Sequence, residues 1–93
     1  MPKNNEFEFM MNFVQEYLDG TMDRIGWDLD FNHYLMQQYP KMQREDRGLA
    51  DCFYYYLSEE GYDQGDDLSD SEHKKLIRKQ WREFKSAMKD GIY

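Results

Sequence analysis

Apolar residues recur at helical spacing through most of the chain, and the first helix shows this pattern most simply. Its apolar positions fall at i, i+1, i+4, i+5, i+8 and i+9, on one face of a helix: Phe9, Met10, Phe13, Val14, Tyr17 and Leu18. Asn4 or Asn5 is a candidate N-cap, and Gly20 is a natural stop. The pattern predicts a helix that ends just before Gly20.

The second segment keeps helical spacing from Trp27 onward, and a proline sets its predicted end. Its periodic apolar positions are Trp27, Phe31, Tyr34 and Leu35. Because the residue before a proline avoids the helical region, we expect this helix to end near Tyr39. For residues 21–26 the pattern allows either a turn or a separate short helix.

A third helix is predicted from about Pro40 to Glu60, since proline suits the first turn of a helix. Gly48 is an expected interruption, and Gly61 is the expected stop. Its apolar face consists of Met42, Leu49, Cys52, Phe53, Tyr56 and Leu57. Residues 61–68 contain two glycines and three aspartates, so we expect a loop there.

The last helix has the strongest signal. Ser69 and Glu72 have the spacing of a capping box, and Gly91 is the expected stop. The apolar positions between them are Leu76, Ile77, Trp81, Phe84 and Met88. Five cations share one flank of that helix and form what we call the basic stripe: Lys74, Arg78, Arg82, Lys85 and Lys89.

These elements predict an all-α protein with no sheet, in which residues 1–93 form a single helical domain. The expected architecture is a compact bundle of four helices, or five if residues 21–40 divide. The predicted core comprises Phe9, Met10, Phe13, Val14, Tyr17, Leu18, Phe31, Tyr34, Leu35, Leu49, Cys52, Phe53, Tyr56, Leu57, Leu76, Ile77, Trp81, Phe84 and Met88.

The amino-acid composition restricts the cellular compartment in which we expect the protein. The single cysteine, Cys52, cannot form an internal disulfide, which fits a reducing compartment. No stretch approaches the roughly 20 apolar residues of a membrane span, and the first residues lack the pattern of a signal peptide. We therefore expect a cytoplasmic protein with no membrane partner.

Charge is divided by position along the chain. Residues 1–67 carry fifteen acidic side chains against five basic ones, whereas residues 68–93 carry four against seven. The net charge is −7, which opposes indiscriminate binding of the whole surface to nucleic acid. The separation allows attraction to cationic partners, or between the two regions themselves.

The acidic excess predicts a non-enzymatic protein-interaction module that binds a basic protein. A helical body that carries carboxylates could imitate a nucleic-acid backbone and inhibit an enzyme that handles DNA or RNA. By analogy only, this resembles inhibitors from phages and mobile elements. The candidate partner-binding residues are Glu6, Glu8, Glu16, Asp19, Glu45, Asp46, Asp51, Glu59 and Glu60.

The basic stripe supports an alternative, in which the last helix binds nucleic-acid phosphates. The negative charge elsewhere opposes this, so we rank it second. The stripe could instead lie along the acidic surface of its own domain, with Trp81 and Phe84 in the core. Pairing with a second copy would give a homodimeric structural or adaptor protein.

Candidate chemistry is weak, and we expect no catalytic residue, no cofactor and no metal. Asp28, Asp30 and Asn32 match the opening of a calcium loop, but His33 stands where that loop needs glycine. His33 and Cys52 are the plausible nucleophile–base pair, although a cysteine on an apolar face usually packs. Whether the acidic 61–68 loop binds an ion is left open.

Overall fold

Helices account for nearly all of residues 5–91, the part of the chain that the computed structural model describes. They are α1 (Asn5–Asp19), α2 (Arg24–Glu45), α3 (Arg47–Phe53), a π-helical segment (Tyr54–Tyr62) and α4 (Asp70–Asp90). No strand occurs within residues 5–91, and none of the described helices is both long and apolar enough to cross a bilayer. The radius of gyration is 12.5 Å, against the ~12 Å expected for a compact chain of this length. The predicted all-α bundle is confirmed.

The ends of α1 and α4 follow the sequence signals. Gly20 ends α1 with φ of +87°, a conformation that glycine adopts without strain. The Ser69 hydroxyl accepts the Glu72 N–H at 3.3 Å and so caps α4, and Gly91 ends α4 in the left-handed region. The predicted cap at Asn4 or Asn5 lies outside what the structure describes of side chains.

The boundary predicted at Pro40 is wrong, because α2 continues through this residue to Glu45. Pro40 has no N–H for the intrahelical ladder, and it is exposed. Buried side chains lie on both sides of the proline along one face of α2: Trp27, Phe31, Leu35 and Met42. Their packing holds the two halves in one helix and offsets the local cost, about 3 kcal/mol in an isolated helix.

The helix is interrupted at Asp46, two residues before the interruption expected at Gly48. Asp46 is extended, with φ of −158°, and its side chain accepts the Leu49 N–H at 3.1 Å. It therefore caps α3 as an N-cap residue does. Gly48 lies inside α3, so the prediction of a break there is wrong.

The third predicted helix also changes type, since residues 54–62 have π geometry. The wider turns continue beyond Gly61, where we expected the helix to stop, and end at Tyr62. The Asp63 N–H then bonds the Ser58 carbonyl, five residues back, at 2.8 Å. A Cβ on Gly61 would meet Ile77 Cδ1 at 3.0 Å, so this glycine lets α4 approach closely.

The core is aromatic and centres on Trp27, which stacks on Phe31 at 4.4 Å and contacts Tyr17 at 4.8 Å between ring centroids. Trp27 and Met42 are fully buried, although the predicted core omitted both. Phe9 was placed in the core wrongly: it is 42% exposed, and Phe7 is buried in α1 instead. Five other predicted core residues are only half-buried: Tyr34, Cys52, Tyr56, Leu76 and Met88.

Candidate functional site

One exposed face of α1 gathers three of the candidate acids. Glu8, Asn12, Glu16 and Asp19 recur at helical spacing and are exposed, and Phe9 lies at the edge of the same face. We call these five residues the acidic face of α1. The buried side of α1 faces away from it, since Met10, Val14 and Tyr17 are at most 1% exposed.

Phe9 gives this face an exposed aromatic ring at its edge. Its ring packs edge-on against Tyr34, with centroids 5.2 Å apart, and remains 42% exposed. Phe9 and Glu16 line a shallow cavity of about 200 Å³, together with Asn12 and Phe13. An aromatic ring beside carboxylates can receive the alkyl stem and the charged head of a lysine or arginine.

The acids on this face have no intramolecular ion pair within residues 5–91. Ion pairs in that range join Arg24 to Asp28, Arg24 to Asp70 and Arg47 to Asp51. Asp19 does accept a hydrogen bond at 2.9 Å from the uncharged side chain of Gln15, one turn away. The negative charge of the acidic face therefore remains available to a partner.

The other candidate acids lie on different surfaces. Glu6 and Glu45 line a cavity of about 450 Å³ with Lys41 and Arg44, so basic side chains lie near these two acids. Glu59 is exposed and Glu60 half-buried on the π-helical segment. The nine candidate acids therefore lie on several separate surfaces, and three of them share the acidic face of α1.

Asp46 and Asp51 have structural roles. Asp46 caps α3, as described above. Asp51 accepts hydrogen bonds from the Tyr39 hydroxyl at 2.6 Å and from Gln43 at 3.0 Å. The bond from Tyr39, followed by that from Gln43, holds the pKa of Asp51 below its ordinary value. Burial and the Asp51 bond raise the pKa of Tyr39 to about 12.

The basic stripe lies beside α1 on α4, and four of its cations are exposed. Lys74 is half-buried, with its ammonium 5.0 Å from the centroid of the Tyr17 ring. Arg78 donates to the Leu18 carbonyl at 3.4 Å, and Lys85 stands 5.3 Å from the Trp81 ring. No stripe cation forms an ion pair with another described residue. Trp81 itself is 5% exposed and belongs to the core.

Arg24 holds the start of α2 against the 63–68 turn, a role that the sequence did not indicate. Its guanidinium donates to the carbonyls of Leu68, Gly65 and Asp66 at 3.0–3.2 Å. It also pairs with Asp28 at 3.1 Å, and its side chain is only 12% exposed. We call this set of contacts the Arg24 clasp.

His73 is buried, not at the surface. It is 1% exposed, and its Nδ1 is 2.7 Å from the Tyr17 hydroxyl. Burial, followed by repulsion from Arg24, lowers the pKa of His73. The lowered pKa favours the neutral imidazole, which packs in the core beside Tyr17.

The candidate nucleophile–base pair, Cys52 and His33, differs in solvent exposure. His33 is exposed on α2, whereas Cys52 is half-buried on α3, and no hydrogen bond among the described residues joins them. Burial raises the pKa of the Cys52 thiol, which makes its thiolate less available. Asp28 to Asn32 lie inside α2 instead of a loop. Within residues 5–91 no group of three or more His, Cys, Asp or Glu side chains is arranged to hold a metal.

Three exposed acidic side chains without intramolecular ion pairs to described residues, on a face that Phe9 borders, make the acidic face of α1 the strongest candidate site. Asp46, Asp51 and Arg24 show a different use of charge, because their partners are within the protein. Comparison of the chain with protein-family models, with curated proteins and with solved structures found no match.

Proposed function

We propose that the protein is a non-enzymatic interaction module that binds a basic protein through the acidic face of α1. The observation that carries the proposal is one exposed face of α1 that bears Glu8, Glu16 and Asp19 and, next to Glu16, the partly exposed ring of Phe9. Interfaces gain most of their affinity from a few central residues, often aromatic, inside a polar rim. Phe9 supplies an exposed aromatic residue at the edge of this face, and the carboxylates supply polar groups along it.

The proposed partner presents lysine or arginine side chains at spacing that matches α1. Charge complementarity accelerates association and excludes acidic competitors. An inhibitor of a DNA- or RNA-handling enzyme would use this surface in place of phosphates. The three acids on the acidic face of α1 support this role better than the full set of nine candidate acids, because Glu6, Glu45, Asp46 and Asp51 have internal neighbours or partners.

Affinity capture from host extract tests the proposal, with the bait in two matched forms. The first carries Glu8→Gln, Glu16→Gln and Asp19→Asn on the acidic face. The control carries Glu59→Gln, Glu60→Gln and Asp63→Asn, which change the net charge equally. A basic protein should be captured by the wild type and the control but not by the first variant.

Salt provides a second measure of the same interaction. Exposed charges are screened over about 8–10 Å at physiological ionic strength, so capture should weaken steeply when salt is raised. Capture that is equal for both variants, or that persists unchanged in high salt, would contradict the proposed surface.

A second candidate function is nucleic-acid binding through the basic stripe, which its exposure and lack of described ion pairs favour. A mobility-shift assay with single- and double-stranded DNA and RNA at low salt tests it, since phosphate contacts are strongest there. Arg82→Gln with Lys89→Gln should abolish the shift. No shift for the wild type at low salt would remove this candidate.

A further inference from the structure

A cavity of about 500 Å³ lies between the start of α2, the first turns of α4 and Tyr17 of α1. Its lining includes Tyr17, Arg24, Ser71, Lys74, Lys75 and Arg78. Pockets for small molecules commonly have volumes of roughly 300–1,000 Å³. Lys74 and Arg78 of the basic stripe line this cleft, whereas no residue of the acidic face of α1 does.

Cations dominate the cleft, although two acids also line it. Asp23 accepts the Gly26 N–H at 2.8 Å and caps α2, and Asp70 pairs with Arg24 at 3.4 Å. Both carboxylates are therefore partly engaged in the fold. Lys74, Lys75 and Arg78 have no carboxylate partner among the described residues.

The walls of the cleft are held in place before any ligand binds. The Arg24 clasp fixes the guanidinium on one side, and the Tyr17 ring restrains the Lys74 ammonium at 5.0 Å. Ser71 adds a hydroxyl, and it lies in the first turn of α4, where N–H groups lack intrahelical acceptors. Positioned donors reduce the entropy that a ligand would otherwise lose in ordering them.

We propose that this cleft binds the phosphate group of a small phosphorylated molecule. Lys75 and Arg78 supply charge-assisted hydrogen bonds to the phosphate oxygens, and Lys74 adds a third positive charge. The volume exceeds that of phosphate alone and accommodates a hydroxyl-bearing substituent such as a sugar. The free lone pairs of Asp23 and Asp70 can accept hydrogen bonds from those hydroxyls.

The same phosphate chemistry occurs in a nucleic-acid strand, but the cleft favours a single phosphate. Carboxylates of Asp23 and Asp70 stand at its lining and would repel the successive phosphates of a strand. A monoester places its charge among the cations and presents neutral groups to the acids. Asp23 and Asp70 line the cleft, whereas the stripe residues beyond Arg78 lie further along α4 and are not part of its lining.

NMR titration of the ¹⁵N-labelled protein with inorganic phosphate, ribose 5-phosphate and ribose tests the proposal at constant ionic strength. We expect saturable shifts around Ser71 and Lys75 with both phosphates, and none with ribose. The cleft variant Lys75→Gln/Arg78→Gln should bind ribose 5-phosphate at least about tenfold more weakly, since it loses two charge-assisted contacts. The control Arg82→Gln/Lys89→Gln has the same charge and should bind within about twofold of the wild type.

Three results would overturn the proposal. The first is the absence of saturable binding by either phosphate. The second is equal weakening in the cleft variant and its control, which would indicate a general charge effect. The third is tighter binding of a single-stranded oligonucleotide that both variants weaken equally, which would assign phosphate recognition to the stripe. Spectra that superimpose away from the cleft verify that each variant is folded.

Discussion

The Arg24 clasp and the acidic face of α1 use charge in opposite ways. In the clasp, one guanidinium of a side chain that is 12% exposed contacts three carbonyls and the Asp70 carboxylate from a distant part of the chain, and the Asp28 carboxylate one turn away. On the acidic face, three exposed carboxylates have no ion pair within the described residues. The clasp stabilises the fold, whereas the face contributes little to it and is available for binding. The difference separates charge that is paired within the fold from exposed charge that forms no ion pair among the described residues.

Removal of the clasp should have the largest effect on stability. Arg24→Ala leaves three carbonyls without this donor, so we expect the free energy of unfolding to fall by about 3 kcal/mol. Arg82→Ala, on the exposed basic stripe, is the matched control and should change it by less than about 0.5 kcal/mol. Urea denaturation measures both. Equal losses in the two variants would mean that the clasp is not structural.

The sequence could predict α1 and α4 because their apolar periodicity and end signals agree. It could not predict the clasp, since Arg24 contacts residues 41 to 44 positions away and periodicity reports only local spacing. Pro40 misled the prediction because tertiary burial along α2 overrode a local preference. Phe9 lies at the edge of an apolar face whose width only the packed neighbours decide.

The candidate site was predictable in part for the same reason. Helical spacing alone places Glu8, Glu16 and Asp19 on one face of α1. Spacing could not reveal that Asp51 is bonded to Tyr39 or that Glu6 lies near Lys41, because these contacts join separate elements. The burial of His73 against Tyr17, 56 residues away, likewise needed the tertiary structure.

The second-largest effect on stability is expected from acid, which acts through the buried side chain of His73. The pKa of His73 is lowered in the folded protein by burial and by Arg24. The His73 side chain therefore binds a proton more readily in the unfolded chain than in the folded protein. The contribution of neutral His73 is complete above pH 6.5 and is lost as the pH falls toward the folded value. The expected slope is at most about 1.4 kcal/mol per pH unit.

Denaturation at several pH values between 7 and 5 measures this slope. His73→Gln, which cannot titrate, should flatten it in that window. A slope that persists in His73→Gln would assign the dependence to other groups.

The smallest effects on stability are expected on the acidic face. Glu8→Gln, Glu16→Gln and Asp19→Asn together should change the free energy of unfolding by less than about 0.5 kcal/mol, since they break no ion pair between described residues. Asp46→Ala removes a helix cap and should cost about 1 kcal/mol. Thermal denaturation of the two variants compares an acid used for folding with acids that are not. A large loss on the acidic face would show that its charges are structural.

The most direct measurement is the dissociation constant of the captured basic partner for two charge reversals, determined by calorimetry. Glu16→Lys and Glu59→Lys change the net charge equally, but only Glu16 lies beside Phe9 on the acidic face. Binding should weaken at least about tenfold for Glu16→Lys, the size expected for one charge-assisted contact, and less than about twofold for Glu59→Lys. Equal affinities for the two variants would contradict the assignment of α1 as the binding surface.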